Sequence, residues 1–509
     1  MRPDWMTPKG EPGIGMSKKS ILHSKLFWVG VLYYAEGFPL GVFYEILPVH
    51  FRMQGIDLSE IGFLSLLGLT WSIKFLWAPA VDHYRRHRSW MLVVDLAMAA
   101  IMMMMAFYSE FGSWTWIAIA LFTLLSATND IAIDGYTVEF LDKREYGLAN
   151  GVRIGLYRVG LLTAGALLWA EPIIGWPGIY AGAAVILIFA GFACRTAPVE
   201  PPAIPGKSVT AAHELRLLLA QPLVLAPALM LLAGLIAFAL GGPLQQLGWS
   251  GAADSLPLVS LTLIGLALLL GVVNRSRGKQ FHRGQFLDGP VFGAVLQMSA
   301  RRHFFPVLVF ILTFKLADQT IGFMIKPFWV DAGFSARQIG VVSVQFGILL
   351  SIAGGLAGGW FTDRVGVFRG LWILGITQIV SNLGYAWIAY VFPLPGTVVE
   401  QPFDHQVMMY TASAVESFTQ GLGTGAFLAF LMSIVNKRNA ATEYALLSSI
   451  FVLARSVAGW AGGYGAEAFG YADFFVLTFF LGLPAYLLLP WVKKMLADME
   501  SVQPETSRA

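Results

Sequence analysis

Residues 114–140 read WTWIAIALFTLLSATNDIAIDGYTVEF. The run is apolar from Trp114 to Ser126 apart from isolated hydroxyls, and it exceeds the about 20 residues that a helix needs to cross a hydrocarbon core. It does not alternate with period two, so it predicts a membrane helix and not a barrel strand. Two aspartates, Asp130 and Asp134, stand inside it, four residues apart and therefore on one helical face. The rest of the chain has the same character. Of 509 residues, 56% are hydrophobic and 13% charged, against about 25% charged in ordinary soluble domains. The mean hydropathy of +0.65, with 16 Trp and 37 Phe, points to lipid as the solvent for most of the molecule. A soluble chain of this length would divide into several domains, each with a polar coat that so little charge does not supply. Soluble enzymes, nucleic-acid binders and disordered scaffolds are excluded as whole-chain readings. A net charge of +3 is too small to imply a polyanionic partner, and the single cysteine, Cys194, excludes a disulfide framework and a multi-cysteine metal or iron–sulfur site.

The same window finds roughly fourteen candidate spans. Six lie at roughly 26–48, 60–80, 90–108, 114–140, 150–170 and 177–195; two at roughly 219–241 and 256–273; six at roughly 304–330, 337–361, 370–392, 407–435, 443–466 and 469–492. Lysine and arginine collect in alternate connections: Lys18, Lys19 and Lys25; Arg85, Arg86 and Arg88; Lys143 and Arg144; the stretch Arg275 to Arg302; Arg364 and Arg369; Lys437 and Arg438; Lys493 and Lys494. The positive-inside rule then places both termini in the cytoplasm. A ten- to twelve-helix topology, with segments seven and eight not spanning, satisfies the same bias. Residues 1–25 read as a disordered cytoplasmic N-terminus. No small-residue cleavage site follows the first apolar run, so no signal peptide is expected. The predicted organisation is a six-helix bundle over 26–195, a cytoplasmic linker with two inserted helices over 196–303, a second six-helix bundle over 304–492 and a tail over 493–509. Four prolines between Thr196 and Gly206 read as a hinge.

An internal repeat recurs at a separation near 280 residues. Ile61-Gly62, then Asp82 and Arg85, match Ile339-Gly340, then Asp363-Arg364-Val365-Gly366. Lys143-Arg144 followed by Arg158 match Lys437-Arg438 followed by Arg455. Glu36 lies twelve residues before Pro48, as Lys315 does before Pro327. Two parallel six-helix halves joined by a cytoplasmic linker form the architecture of the major facilitator superfamily. The stretch from Gly359 to Arg369 resembles that superfamily's loop signature between its second and third helices. The fold class expected is therefore an all-α membrane protein of the major facilitator fold, two six-helix bundles with two inserted helices and 14 transmembrane helices.

The resemblance narrows at residues 126–160, where Ser126-Ala127-Thr128-Asn129-Asp130-Ile131-Ala132-Ile133-Asp134-Gly135-Tyr136 is followed by Asn150-Gly151-Val152-Arg153 and Tyr157-Arg158-Val159-Gly160. With Glu36-Gly37-Phe38-Pro39, Lys74-Phe75-Leu76-Trp77-Ala78-Pro79, Gly421-Leu422-Gly423-Thr424 and Tyr444-Ala445-Leu446-Leu447-Ser448, the chain resembles the AmpG-type muropeptide permeases. That branch is related to acetyl-coenzyme A transporters. Asn129 and Gly135 depart from the Gln and Ala of the branch pattern. The resemblance implies a multi-pass protein of the bacterial inner membrane that imports anhydro-muropeptides from cell-wall turnover, driven by protons. The partners it implies are a small amphiphilic anionic solute, protons and the lipid bilayer, with no nucleic acid, no cofactor and a monomeric state. Two other readings are carried beside it: the same fold with another cargo such as an acyl-coenzyme A, and a membrane-embedded transferase.

An ionisable group inside a membrane helix costs about 2.5–3.5 kcal/mol on insertion scales, so each needs a reason. Two close carboxylates in a low dielectric resist being ionised together, which makes Asp130 and Asp134 candidates to bind a transported proton. A static pairing with Arg153 or Arg158 is the structural alternative. Glu36, beside Gly37 and the helix-interior Pro39, is a candidate cavity residue, with Gly37 and Gly41 forming a face for close helix approach. Lys315 and Asp318, three apart, read as a mutual pair. Arg158 and Arg455 are repeat-related and suited to clamping a substrate carboxylate. Arg153 and Arg158 point about 140° apart on a helix of 3.6 residues per turn, and the preferred assignment turns Arg158 inward. Asp82, Arg85, Asp363, Arg364 and Arg153 then form a cytoplasmic latch. Lys74, Lys326 and Glu416 lie nearer helix ends, where snorkelling explains them. His50, His83, His87 and His405 read as loop residues without metal-ligand spacing, and no metal site is expected. Gly206-Lys207-Ser208 ends like a phosphate-binding loop, but Pro201 stands where the first glycine belongs, which disfavours ATP as the driver.

Overall fold

The computed structural model describes residues 24–74, 77–78, 81, 86–108, 112–141, 146–199, 301–435 and 440–502, with scattered positions between 230 and 298. Everything regular within them is helical. The first bundle consists of α1 (Lys25–Met53), α2 (Leu58–Ile73), α3 (His87–Phe107), α4 (Ser113–Phe140), α5 (Tyr146–Trp169) and α6 (Glu171–Arg195). The second comprises α7 (Phe304–Asp331), α8 (Ala336–Val365), α9 (Val367–Val391), α10 (Phe403–Ser433) and α11 (Ala440–Gly482), followed by α12 (Leu489–Val502). Gly470, at φ +74°, divides α11 into two limbs, so this bundle also has six arms. Among the described residues nine helices are long and apolar enough to cross a membrane. Residues 1–23 and nearly all of 219–241 lie outside the described residues. The second inserted segment is described only in part, as an apolar helix over Leu258–Ala267.

The helices break where their chemistry demands it. Pro39 has no N–H to donate, and a π-helical turn over Val42–Ile46 follows it, so α1 is regular through Glu36 and departs from α-helical geometry beyond Gly41. In α7 the break falls on Lys315 itself, between the helical runs Phe304–Phe314 and Leu316–Asp331. The N-terminus of α8 is closed by a capping box, in which the Ser335 hydroxyl accepts from the Gln338 N–H.

Lipid provides no hydrophobic drive for helix association, so close packing at small residues carries it. α1 lies against α5, where a side chain at Gly37 would collide with the Tyr157 carbonyl and one at Gly160 with the backbone of Tyr34 and Phe38. The halves meet through α2 on α11 and α5 on α8. Both contacts are built on the repeated Ile-Gly pairs: Gly62 rests on Gly463, and Gly340 on the Gly165 carbonyl. The internal repeat thus has a counterpart in space, with one glycine-to-glycine crossing at each seam.

Three histidines expected in loops are helical. His50 belongs to α1, buried, its ring stacked on Trp176 at 4.1 Å with Nδ1 2.6 Å from the Tyr180 hydroxyl. His87 opens α3 and His405 lies in α10, while His83 is outside the described residues.

Candidate functional site

The two aspartates of α4 share one cation. Lys74, at the end of α2, holds its ammonium 3.5 Å from Asp130 Oδ2 and 3.5 Å from Asp134 Oδ2. Asp134 also faces the Arg153 guanidinium of α5 at 3.3 Å and accepts a 2.9 Å hydrogen bond from the Tyr33 hydroxyl of α1. Arg153 lies over the Tyr33 ring, 4.5 Å from its centroid. Asp134 is partly open to solvent, whereas Asp130 is buried and its Oδ1 has no hydrogen-bond partner. Glu36 is buried as well, with Oε2 unpartnered, and its charged neighbours are Asp130, Asp134, Arg153 and Lys74. The second half reaches this group through Arg455 of α11, whose guanidinium sits 3.8 Å from the Tyr44 ring centroid. Tyr157 has Glu36 and Asp130 of the acid group, and also Arg455 and Tyr44, among its charged and phenolic neighbours.

This arrangement corrects two expectations. Lys74 does not snorkel: α2 ends level with the acids of α4, and two carboxylates hold its ammonium inside. Arg153, expected at a cytoplasmic latch, belongs to the acid cluster. Arg158, preferred as the inward arginine, forms no ion pair among the described residues. The α1–α5 contact turns the Arg153 side of α5 towards Tyr33 and Asp134. The proposed latch is described only in part. Asp82 and Arg85 lie outside the described residues; Asp363 and Arg364 are exposed, and Arg364 stacks on Trp360 of its own helix at 4.1 Å.

The equivalent region of the second half is closed upon itself. Lys315 is buried and donates to Asp318 Oδ2 at 3.0 Å, Gln378 Oε1 at 2.8 Å and Thr424 Oγ1 at 2.9 Å, with the Gln420 carbonyl at 3.5 Å. The expected mutual pair is present, and three further acceptors surround it. Glu416, also buried, accepts from the Ser417 hydroxyl at 3.3 Å.

A third group joins the halves near the ends of α1 and α7. Arg52 Nε donates to Asp331 Oδ1 at 2.6 Å, and the Tyr471 hydroxyl, just past Gly470, donates to Asp331 Oδ2 at 2.7 Å. Lys326 meets Glu45 at 2.7 Å. Among the described residues these are the ion pairs between the halves, and sequence reasoning missed them. Arg52 and Asp331 are 279 residues apart, the same offset as Glu36 and Lys315, so the repeat register itself was the signal.

Residues 26–287 match the Major Facilitator Superfamily, just over half of the chain, and the chain belongs to that superfamily. It is a multi-pass membrane protein and a secondary transporter, not an enzyme. Within the superfamily it is an AmpG-like permease. It is 28% identical over 469 residues to the anhydromuropeptide permease of Escherichia coli (strain K12), covering 90% of this chain and 78% of that one. It is 24% identical to the putative transporter AmpG 4 of Rickettsia conorii, covering 92% and 96%. The fold is shared with the crystal structure of the POT family transporter PepTSo (TM-score 0.62, 13% identity, 94% and 98% covered). It is shared too with a bacterial homologue of the human lysosomal transporter Spinster (TM-score 0.60, 12% identity, 93% and 97% covered).

Proposed function

We propose that the chain imports an anionic amphiphilic solute, an anhydro-muropeptide from cell-wall turnover, together with protons, by alternating access across the bacterial inner membrane. The observation that carries this reading is the shared Lys74. Its ammonium is divided between Asp130 and Asp134 while Asp130 Oδ1 and Glu36 Oε2 stay buried without partners. Three acids, Glu36, Asp130 and Asp134, face two cations, Lys74 and Arg153, so the group carries one net negative charge when all are ionised. One bound proton leaves the group neutral in a low dielectric and removes its repulsion of an anionic cargo. Each ligand then strengthens the binding of the other, and by linkage the coupling is reciprocal. Tyr33 and Tyr44 already carry Arg153 and Arg455 on their rings, which leaves the half-buried Tyr157 to meet a sugar. The lysine and arginine bias supports an orientation with both termini cytoplasmic, which sets the Arg52–Asp331 and Lys326–Glu45 pairs on the outer side. In this reading they hold the outer side shut while the acid group waits on the cytoplasmic side. The protein acts as a monomer, each half supplying one wall of the path.

The test uses purified protein in proteoliposomes with a radiolabelled anhydro-muropeptide. Concentrative uptake into vesicles with an alkaline interior, abolished by a protonophore, is the expected result. Uptake indifferent to the proton gradient removes the coupling, and uptake of acyl-coenzyme A in preference to the muropeptide redirects the cargo.

A further inference from the structure

Asp95 lies in the middle of α3, fully buried and away from the acids that face Lys74. Its surroundings are almost without charge. From α4 the Asn129 amide donates Nδ2–H to Asp95 Oδ1 at 2.8 Å. From α6, Gly191 backs so closely onto the carboxyl that an added Cβ would lie 2.9 Å from Asp95 Cβ, and the Cys194 thiol, the other titratable group facing it, lies nearby. Among the described residues no cation pairs with Asp95. Two buried atoms here lack partners, Asp95 Oδ2 and Asn129 Oδ1, and they belong to the same two groups that the one hydrogen bond joins.

A planar carboxyl facing a planar amide has two contact edges. One edge is filled by the N–H. Closing the other edge would set Asp95 Oδ2 against Asn129 Oδ1, two acceptors that attract only when a proton lies between them. Turning the Asn129 amide over does not escape this, because its oxygen would then oppose Asp95 Oδ1 and again require a proton. An ionised carboxylate with one neutral donor and no cation is also among the costliest groups to keep inside a bilayer. We propose that Asp95 is a carboxylic acid in the resting protein, its O–H donated to Asn129 Oδ1 to close a cyclic acid–amide pair, a proton-binding site separate from the acid group at Lys74. One proton satisfies both orphaned atoms. The closed pair ties α3 to α4 immediately before Asp130, and α6 seals it from the cavity, so this proton is retained while the transported one exchanges. Asn129, one of the two departures from the branch pattern, is the residue that makes the pair.

Infrared spectroscopy of the purified protein tests this without cargo or gradient, so the result is independent of the transport reading. The spectrum of the native protein is expected to contain a protonated-carboxyl C=O band that persists into mildly alkaline buffer and is lost in Asp95→Asn. That variant can rebuild the ring as an amide pair and so retain the fold. In Asn129→Leu, where Asp95 is intact but its partner is gone, the band should move to higher frequency as its hydrogen bonds are lost. Identical spectra for the native protein and Asp95→Asn, or a band that Asn129→Leu does not move, would overturn the proposal.

Discussion

The two halves descend from one plan and have been given opposite electrostatics. At equivalent positions, 279 residues apart, α1 carries Glu36 and α7 carries Lys315. The lysine is surrounded by an aspartate, two hydroxyl or amide oxygens and a carbonyl, so its charge has nowhere else to go. The glutamate has a buried oxygen with no partner, beside an aspartate with another, and the nearby lysine is divided between two claims. A saturated network resists change in protonation, because every alternative state leaves a buried group unpaired. An undersatisfied one accepts a proton at little cost. On the proposed reading, proton chemistry falls to the first half and rigid support to the second, which reaches across the seam through Arg455, Lys326 and Asp331.

Breaking the second-half network should have the largest effect. Lys315→Met leaves Asp318 buried without its cation, a loss of about 3–5 kcal/mol that should appear as a marked fall in melting temperature in detergent and in folded yield. A double variant, Lys315→Met with Asp318→Leu, should recover most of it. Full stability in the single variant would show that the second half is no more locked than the first. In the first half the loss should fall on coupling. Asp130→Asn should reduce gradient-driven uptake by at least about tenfold, the factor that 1.4 kcal/mol represents, while counterflow exchange of cargo and the melting temperature persist. Uptake and exchange falling together would instead make Asp130 a binding or structural residue. The pair between the halves is expected to be weaker in effect. Arg52→Gln removes a charge-assisted hydrogen bond to Asp331 of about 1.5–3 kcal/mol and should raise labelling, by a water-soluble thiol reagent, of a cysteine placed in the cavity lining. Exchanging the two charges should bring labelling back towards the native level. Smallest of all is Arg158→Ala, which should stay within about 0.5 kcal/mol in stability and keep uptake, whereas Arg153→Ala should not keep uptake. The reverse order would reinstate Arg158 as the inward arginine.

The helices and their pairing by repeat were legible because hydropathy and self-similarity are properties of the chain taken in order. Asp130 and Asp134 were legible for the same reason, since four residues on a helix is a distance that sequence can measure. Lys74 was not. Its partners lie on another helix, and near a helix end a lysine whose head reaches water reads the same as one held between two acids. The place of Arg153 was not legible, because its angle to Arg158 follows from spacing but the rotation of α5 depends on the contact of Gly37 in α1 with Gly160 in α5. Asp331 was within reach: carrying the Glu36-to-Lys315 offset forward from Arg52 lands on it. Asp95 met the stated rule for an ionisable group in a span, but its meaning depends on Asn129, thirty-four residues away, which only the folding of α3 against α4 reveals.

The central claim is that the proton accompanying the cargo binds in the first half. Cargo-induced proton uptake by the purified protein, followed with a pH indicator in weakly buffered detergent solution, tests it most directly. The native protein and Glu416→Gln, which alters a buried acid of the second half, should both take up protons when anhydro-muropeptide is added, and Asp130→Asn should not. Proton uptake that survives in Asp130→Asn and vanishes in Glu416→Gln would contradict the account.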